Sequence, residues 1–281
     1  MYALNELSLS VEPGTVFGLL GPNGSGKTTT LGILLDIIRP TQGEFRWFGE
    51  PPHHDLRKRL GAILETPNFY PYLSAVKNLE IVANIRGRGL ENIPRQLEMV
   101  GLHNRAYSKF KTYSLGMKQR LALAAATLHD PEVLILDEPT NGLDPQGIAE
   151  VRDLIRQIAE RGITIILASH LLDEVQKVCS HVAVLNKGTS MYCGPVNDFL
   201  GNEVAVDAAA DDLDALERVA KTFGQTLEVR KQTGMLRITL EEGTTPREFN
   251  AHCIDQGVVL SHLSLVTLSL EKQFLELLAK A

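Results

Sequence analysis

The amino-acid sequence predicts an α/β fold with a helical insertion, followed by a small α+β domain. Over about the first 200 residues, short apolar runs alternate with helical patterns, which is typical of layered α/β structures. These apolar runs show no polar alternation, as expected for strands that are covered on both faces. Strand patterns disappear between residues 66 and 127, and a new alternation begins at 203. We therefore predict a first domain at 1–202, with a helical subdomain at about 66–127, and a second domain at 203–281.

The elements of the first domain follow from runs of apolar residues and from helical spacing. Its predicted strands are residues 16–20, 45–48, 61–64, 133–136, 164–168 and 182–186. Its predicted helices are residues 29–38, 74–86, 93–100 and 115–128. A turn at Gly194-Pro195 and a short helix then lead towards the second domain.

The second domain shows shorter elements. The predicted strands are residues 204–206, 227–230, 235–240 and a last one near 258–260. The predicted helices are residues 213–223, 246–255 and 270–279. Gln232-Thr233-Gly234 is predicted to form the turn of a hairpin between the second and third of these strands.

Composition excludes several classes of protein. The chain has 281 residues, of which 44% are hydrophobic and 22% charged, and its net charge is −6. The acidic balance and the absence of a basic stripe argue against a nucleic-acid partner. Three widely spaced cysteines do not suggest a disulfide framework or a zinc site. We also expect no signal peptide and no bilayer-spanning helix, because there is no apolar run of about 18 residues.

The most informative motif lies between the first strand and the first helix. It has the pattern G-x-x-x-x-G-K-[ST], and it consists of Gly21, Pro22, Asn23, Gly24, Ser25, Gly26, Lys27 and Thr28, with Thr29 next to it. Glycines let backbone N–H groups surround phosphate oxygens, and the helix directs its partial positive charge to the same place. Lys27 is expected to reach the β- and γ-phosphates, and the Thr28 hydroxyl to face Mg²⁺. The motif predicts binding of a nucleoside triphosphate.

Two carboxylates end a later strand. Asp137 and Glu138 directly follow the apolar run 133–136. Asp137 is expected to hold Mg²⁺ at the carboxyl end of the sheet, where α/β proteins place ligands. Glu138 is expected beside the γ-phosphate, where a carboxylate can orient or deprotonate the attacking water. Without the upstream phosphate loop, the same residues would equally suit a solvated acidic turn.

Two weaker signals belong to the same interpretation. His170 follows the strand at 164–168 and can reach the γ-phosphate or the attacking water, although a lone histidine is more often a surface or core residue. Ser114 is a plausible N-cap of the helix at 115–128, and Gly116 leaves its backbone accessible. This helix start is therefore a second potential anion site, the alternative being an ordinary capped helix.

In the order and spacing of these motifs, the chain resembles the ATPases of ATP-binding cassette (ABC) transporters, over roughly residues 1–200. Residues 21–28 resemble the Walker A loop, residues 114–119 the signature motif, and residues 135–138 Walker B. Asn141-Gly142-Leu143-Asp144 resembles the D-loop, and His170 the switch histidine. The C-terminal part resembles the appendage of the bacitracin-resistance and drug-export branch. The resemblance implies a P-loop NTPase core with ATP and Mg²⁺ as cofactors, Glu138 and His170 as catalytic residues, and nucleotide contacts from Ser114, Gly116 and Asp144.

The chain departs from the family pattern in three places. Leu115 and Met117 replace a glycine and a glutamine of the usual signature, whereas Ser114 and Gly116 match it. Glu65 stands where the family has a glutamine, which makes it a candidate metal ligand beside Thr28 and Asp137. Almost nothing precedes Ala3, so Tyr2 is the candidate for stacking on adenine. The sequence leaves open whether further residues precede Met1.

The resemblance implies the ATPase subunit of an exporter, on the cytoplasmic face of the membrane, beside a separate integral membrane permease. The cassettes would pair head to tail, with a homodimer favoured over a heterodimer. Aromatic residues at 67–72 are expected to dock the permease, the alternative being a cluster that caps the core. The main rival is a soluble ABC-type ATPase that acts in DNA repair or translation. A third possibility is a regulatory subunit with little hydrolysis, against which Glu138 and His170 argue.

Overall fold

The structure, a computed structural model, describes residues 2–64, 66–200, 204–266 and 270–279. The chain divides into two compact units between Val196 and Asn197. The boundary predicted from the sequence lies slightly further along, at 202. The division into an ABC ATPase domain at 1–202 and a small accessory domain at 203–281 stays a prediction. Within the described ranges, no helix is both long and apolar enough to cross a membrane.

The first unit is built from a six-stranded sheet and seven helices among its described residues. Its strands are β1 Val16–Leu20, β2 Leu60–Ile63, β3 Val133–Asp137, β4 Thr164–Ser169, β5 His181–Asn186 and β6 Thr189–Pro195. Its helices are α1 Lys27–Leu34, α2 His54–Arg57, α3 Ala75–Arg86, α4 Ile93–Met99, α5 Leu115–Thr127, α6 Pro145–Glu160 and α7 Leu172–Val178. Short 3₁₀ turns lie at Leu90–Asn92, His103–Arg105 and Phe110–Thr112.

The strand order of this sheet is β2-β3-β4-β1-β5-β6, and every neighbouring pair is parallel except β5 and β6. Every residue of β1, β3 and β4 is buried, as expected for strands covered on both faces. Carboxyl ends of parallel strands meet at one edge, so the residues that follow β3, β4 and β1 come together there. The predicted α/β class is confirmed.

The helical insertion contains α3, α4 and α5, and no strand forms between residues 66 and 127 in the described part of the chain. A buried pair of side chains joins two of its helices. The Gln96 amide donates to the Thr127 carbonyl oxygen at 3.0 Å, and the Thr127 hydroxyl donates to Gln96 Oε1 at 3.0 Å. Because both polar side chains are satisfied, they fix α4 against α5 without an uncompensated desolvation cost.

The strand predicted at 45–48 is wrong. This segment makes one isolated bridge, between Trp47 and Glu50, and the Trp47 indole donates to the Leu34 carbonyl oxygen at 2.8 Å. Its apolar side chains suit a strand, yet no described strand lies beside it. A strand needs an adjacent partner for its backbone groups, and a local pattern carries no information about one.

The turn predicted at Gly194-Pro195 is also wrong, because both residues belong to β6. β6 is the last strand of the sheet, and Pro195 pairs with His181 at its end. Proline is tolerated there because an edge position does not require a further ladder N–H donor. The sequence analysis also missed α2, α6 and α7.

Helix α8, Val196–Leu200, begins at the last residue before the boundary. The second unit then contains β7 Val204–Ala210, α9 Leu213–Thr222, β8 Thr226–Gln232, β9 Met235–Leu240, α10 Pro246–Asp255, β10 Leu260–Val266 and α11 Leu270–Ala279. Its four strands form an antiparallel sheet with the order β10-β7-β9-β8. A core of Val206, Leu216, Ile238 and Phe249 joins one sheet face to α9 and α10. The last strand lies beyond the predicted 258–260, at Leu260–Val266.

Buried His129 gives the first unit a pH-dependent stability. It is 4% exposed, and its Nε2 lies 3.1 Å from the Leu60 carbonyl oxygen, which ties the end of α5 to β2. Burial, assisted by the charge of Arg86, lowers the pKa of His129 to about 4. The unfolded chain takes up this proton near pH 6.5 and the folded chain only near the lowered value, so stability falls as pH drops through that window.

Replacing this histidine is expected to flatten the acid side of the stability profile. In His129→Gln the amide keeps a donor for Leu60, and the loss of stability between pH 6.5 and 4, about 3 kcal/mol at most, should shrink. The measurement is the urea midpoint at a series of pH values, with the exposed residue His54, as His54→Gln, as the control. An unchanged slope in His129→Gln would contradict the assignment.

Candidate functional site

The phosphate loop connects β1 to α1, and three contacts hold it in place. Lys27 Nζ donates to the carbonyl oxygens of Gly21 at 2.7 Å and Pro22 at 3.2 Å. The backbone N–H of Gly188 donates to the Ser25 carbonyl oxygen at 3.0 Å. Gly26 precedes the helix at a φ of 107°, and a Cβ there would lie 2.5 Å from Leu4 Cδ2. Only glycine meets both demands, so the N-terminal segment can pack closely against the loop.

Polar groups in the loop fit a phosphate. Ser25 is 2% exposed, and its hydroxyl has no hydrogen-bond partner among the described residues. A buried hydroxyl of this kind normally finds a partner, and a phosphate oxygen would supply one. Burial lowers the pKa of Lys27, while the charges of Glu138 and Asp137 act in the opposite direction. The loop therefore combines the cation of Lys27 with the buried hydroxyl of Ser25.

The predicted metal ligands Thr28 and Asp137 lie together. The Thr28 hydroxyl donates to Asp137 Oδ2 at 3.1 Å, although the two residues are 109 positions apart. Thr28 stands in the first turn of α1, and Asp137 ends the neighbouring strand β3 with 2% exposure. A hydroxyl and a carboxylate at one point form a set of hard oxygen donors of the kind that Mg²⁺ prefers.

Glu138 and His170 form the second pair of the site. His170 Nδ1 lies 2.7 Å from Glu138 Oε2, and the Glu138 N–H donates to the Ala168 carbonyl oxygen at 2.9 Å. The pair follows from the parallel register of β3 and β4, in which Asp137 faces Ala168. Glu138 has a φ of 48°, an uncommon value for a residue with a side chain, which turns its carboxylate out of the strand.

Ser114 and Asp144 cap helices. Ser114 Oγ accepts from the Met117 N–H at 3.3 Å at the start of α5, and Asp144 Oδ1 accepts from the Gly147 N–H at 2.9 Å at the start of α6. Within the described residues, no hydrogen bond or ion pair joins Ser114 to the phosphate loop. A Cβ on Gly116 would lie 4.0 Å from Leu143 Cδ2, and one on Gly142 3.3 Å from Leu115 Cδ2. The signature-like turn thus packs against the D-loop-like turn of the same chain.

The roles of two predicted site residues, Tyr2 and Glu65, are not tested by the structure. Tyr2 is 79% exposed, while the adjacent Ala3–Leu4 backbone packs against Gly26 and Gly188. Stacking of Tyr2 on adenine stays a prediction. Glu65 lies outside the described residues, so its assignment as a metal ligand also stays a prediction.

The sequence analysis missed the turn between β5 and β6. Gly188 donates to Ser25 as described above, and its carbonyl oxygen accepts from the Asn5 N–H at 2.8 Å. The turn therefore holds the phosphate loop and the N-terminal segment together. The dipeptide Lys187-Gly188 between two apolar runs is a hairpin signal, but it does not indicate which loop the turn will touch.

Comparison with known proteins places the chain in a family. The family model described as "ABC transporter" matches residues 4–141. The ABC transporter ATP-binding protein YhcH of Bacillus subtilis is 37% identical over 98% of this chain and 90% of its own length. The chain belongs to the ABC transporter ATPase family. As a member, it is an ATP-binding, ATP-hydrolysing subunit, which confirms the predicted fold and enzyme class.

Two further similarities refine the position of this ABC ATPase. The bacitracin transport ATP-binding protein BcrA of Bacillus licheniformis is 47% identical over 66% of this chain and 62% of its own length. Similarity to the bacitracin branch is thus confirmed over two thirds of the chain, and the resemblance of the C-terminal part to that branch's appendage stays a prediction. Among solved structures, the dimeric ATP-binding cassette MJ0796 bound to ADP and Pi has a TM-score of 0.63 and 25% identity, covering 70% of this chain and 92% of that one.

Proposed function

We propose that this ABC ATPase powers an exporter in which ATP closes a dimer of two copies and the closure drives a separate integral membrane permease. One observation carries the hydrolytic part of this proposal. The adjacent strands β3, β4 and β1 end in Asp137-Glu138, Ser169-His170 and the phosphate loop. Charged groups suited to bind, orient and hydrolyse a triphosphate therefore share one sheet edge. The experiments on Glu138 and Lys27 in the Discussion test this part.

Residues 21–28, with Thr29, would hold the phosphates, and Thr28 and Asp137 would hold Mg²⁺. The bond between Thr28 and Asp137 supports this assignment, because it places a hydroxyl and a carboxylate oxygen at one point. Bound Mg²⁺ would neutralise charge on the phosphate oxygens. Among the described residues, no three His, Cys, Asp or Glu side chains cluster as a metal site, so nucleotide and water oxygens would complete the set.

Glu138 would take the proton of the attacking water, and His170 would hold the carboxylate in position. Their 2.7 Å contact supports this division of roles. A general base must lie within hydrogen-bond reach of the proton that it removes, so a second bond that fixes its orientation favours the reaction. His170 would also contact the γ-phosphate.

The second anion site would belong to a second copy of the chain. α5 is a 13-residue helix that begins at the Ser114 cap, and Gly116 leaves its first turn uncluttered. Such a helix start attracts an anion. In the proposed head-to-tail homodimer, Ser114 and Gly116 of one copy would complete the phosphate site of the other, and Asp144 would lie at the same interface. The dimeric state of MJ0796 supports this arrangement.

The permease would dock at the aromatic segment 67–72. Tyr70 and Tyr72 are 51% and 63% exposed, with ring centroids 6.0 Å apart. Buried Asn78 holds the segment, since its Oδ1 accepts from the Tyr70 N–H at 2.8 Å and its Nδ2 donates to the Tyr70 carbonyl oxygen at 3.2 Å. Exposed aromatic rings on a fixed backbone suit a protein interface. Docking there would hold the ATPase at the cytoplasmic face of the membrane.

Loss of these rings is expected to weaken capture of the permease. Detergent-solubilised membranes of the source cells would be passed over the tagged wild-type chain and over Tyr70→Ser/Tyr72→Ser. We expect the amount of a specific integral membrane protein to fall about tenfold or more, because central aromatic residues carry much of an interface's binding energy. Val259→Ser, which removes another exposed apolar side chain, is the control.

The same experiment separates the rival function. Equal capture by the double variant and the wild type would contradict docking at 67–72. A wild-type chain that captures no integral membrane protein but hydrolyses ATP would favour the soluble ABC-type ATPase instead.

A further inference from the structure

The second unit has an edge strand with an unusual charge pattern. In the order β10-β7-β9-β8, β8 pairs with β9 on one side, and no described strand lies on its other side. β8 carries Glu228 and Arg230 on the sheet face opposite to α9 and α10, and Arg230 Nε donates to Glu228 Oε1 at 2.7 Å. An edge of this kind offers its backbone groups to another strand.

The hairpin turn determines which backbone groups of β8 point outward. Gln232 faces Met235 across the two-residue turn Thr233-Gly234, so these two form a hydrogen-bonded pair. Hydrogen-bonded and non-hydrogen-bonded pairs alternate along an antiparallel ladder. The N–H and C=O groups of Val229 and Lys231 therefore point away from β9, whereas those of Arg230 point towards it.

These directions restrict how β8 can pair with a second copy of itself. When two copies of β8 pair antiparallel about a two-fold axis, the outward N–H and C=O groups of one copy must meet those of the other. The axis then passes beside one residue, which lies opposite its own copy. An axis at Glu228, Arg230 or Lys231 would place that charge opposite its own copy, which is unfavourable. An axis at Val229 lets Val229 exchange two hydrogen bonds with its copy and places Glu228 opposite Arg230 twice.

We propose that β8 pairs with β8 of a second copy about a two-fold axis at Val229, joining the two C-terminal sheets. Glu228 and Arg230 then form the closest side-chain pairs, because they occupy non-hydrogen-bonded positions of the new ladder. β8 pairs irregularly with β9 between Thr226 and Glu228, so the new ladder centres on Glu228, Val229 and Arg230. The same charges oppose pairing with an unrelated strand, so the edge selects its own copy.

This contact is independent of the nucleotide sandwich. It uses only the second unit, and we expect it without ATP. A failure of the sandwich model therefore leaves this prediction standing, and its own failure leaves the sandwich untouched.

The decisive experiment mixes two charge reversals. Glu228→Arg places arginines opposite each other, and Arg230→Glu does the same with glutamates, so each variant alone should dimerise at least about tenfold more weakly than wild type. An equimolar mixture should restore the dimer, because each chain then faces opposite charges. The measurement is sedimentation velocity of full-length protein without nucleotide.

The mixture also separates contacts between chains from contacts within one chain. The bond between Arg230 and Glu228 in one chain stays broken in both variants, so mixing cannot repair it, and thermal unfolding checks that each variant is folded. Glu44→Arg and Arg46→Glu, which alter a similar exposed pair in the first unit, should leave the dimer unchanged. A wild-type chain that stays monomeric at its highest soluble concentration, or a mixture no more dimeric than its components, overturns the proposal.

Discussion

Glu138→Gln is expected to lower ATP turnover by about 10²- to 10⁴-fold, the usual range for loss of a general base. The amide keeps the size of the side chain and an oxygen for the hydrogen bond to His170, but it cannot accept the proton of water. ATP affinity should change little, because the phosphate loop is untouched. With ATP and Mg²⁺, the variant should shift in gel filtration to a larger assembly than it forms without nucleotide.

The contact between Glu138 and His170 gives a sharper form of this test. Since their side chains lie 2.7 Å apart, their effects on turnover should not add. His170→Ala alone should lower turnover, and the double variant should be little worse than Glu138→Gln. Independent, additive losses would contradict the role of His170 in positioning the carboxylate.

Glu160→Gln serves as the matched control, because Glu160 is an exposed glutamate at the end of α6. It should turn over ATP at the wild-type rate. A Glu138→Gln enzyme with near wild-type turnover would exclude Glu138 as the base. A variant whose gel-filtration profile ATP and Mg²⁺ leave unchanged over a wide concentration range would count against the sandwich.

Lys27→Ala is expected to weaken ATP binding by about one to two orders of magnitude, because a charge-assisted contact contributes roughly 1.5–3 kcal/mol. The loss should depend on the length of the phosphate chain. ATP should be affected most and AMP least, since Lys27 is proposed to reach the β- and γ-phosphates. Calorimetric titration with ATP, ADP and AMP measures this series.

Two comparisons distinguish the loss of a phosphate contact in Lys27→Ala from a general loosening of the loop and from the loss of any lysine. Lys27 also holds the Gly21 and Pro22 carbonyl groups, so part of the loss arises from a looser loop, which would weaken all nucleotides alike. Exposed Lys58, as Lys58→Ala, is the control and should bind ATP normally. Unchanged ATP affinity in Lys27→Ala would show that the loop is not the phosphate site.

The sequence was most informative where all the residues that determine a structural feature lie within one short segment. The phosphate loop needs a buried strand, glycines and a new helix within a dozen or so neighbouring residues, and all of these are visible in order. Ser114 and the helix that it caps are predictable for the same reason, since the cap and the N–H that it accepts lie three residues apart. Periodicity likewise revealed α3, α5 and the buried strands.

The sequence failed where an element depends on a distant neighbour. Residues 45–48 have the composition of a strand, but no strand of the described part of the chain lies beside them. β6 was missed because its pairing with β5 outweighs the turn signal of Gly194-Pro195. The contact of Gly188 with Ser25 was also invisible, because nothing in a hairpin's sequence states what its turn will touch.

By itself, then, the sequence determined the residue types of the site and the family that they resemble, because each motif is short and chemically specific. Only the tertiary structure decided which of them meet. Thr28 reaches Asp137 over 109 positions and His170 reaches Glu138 over 32, because the parallel order β3-β4-β1 brings three carboxyl ends to one edge. Strand order and register are set by packing across the whole core, so no local pattern of residues encodes these distances.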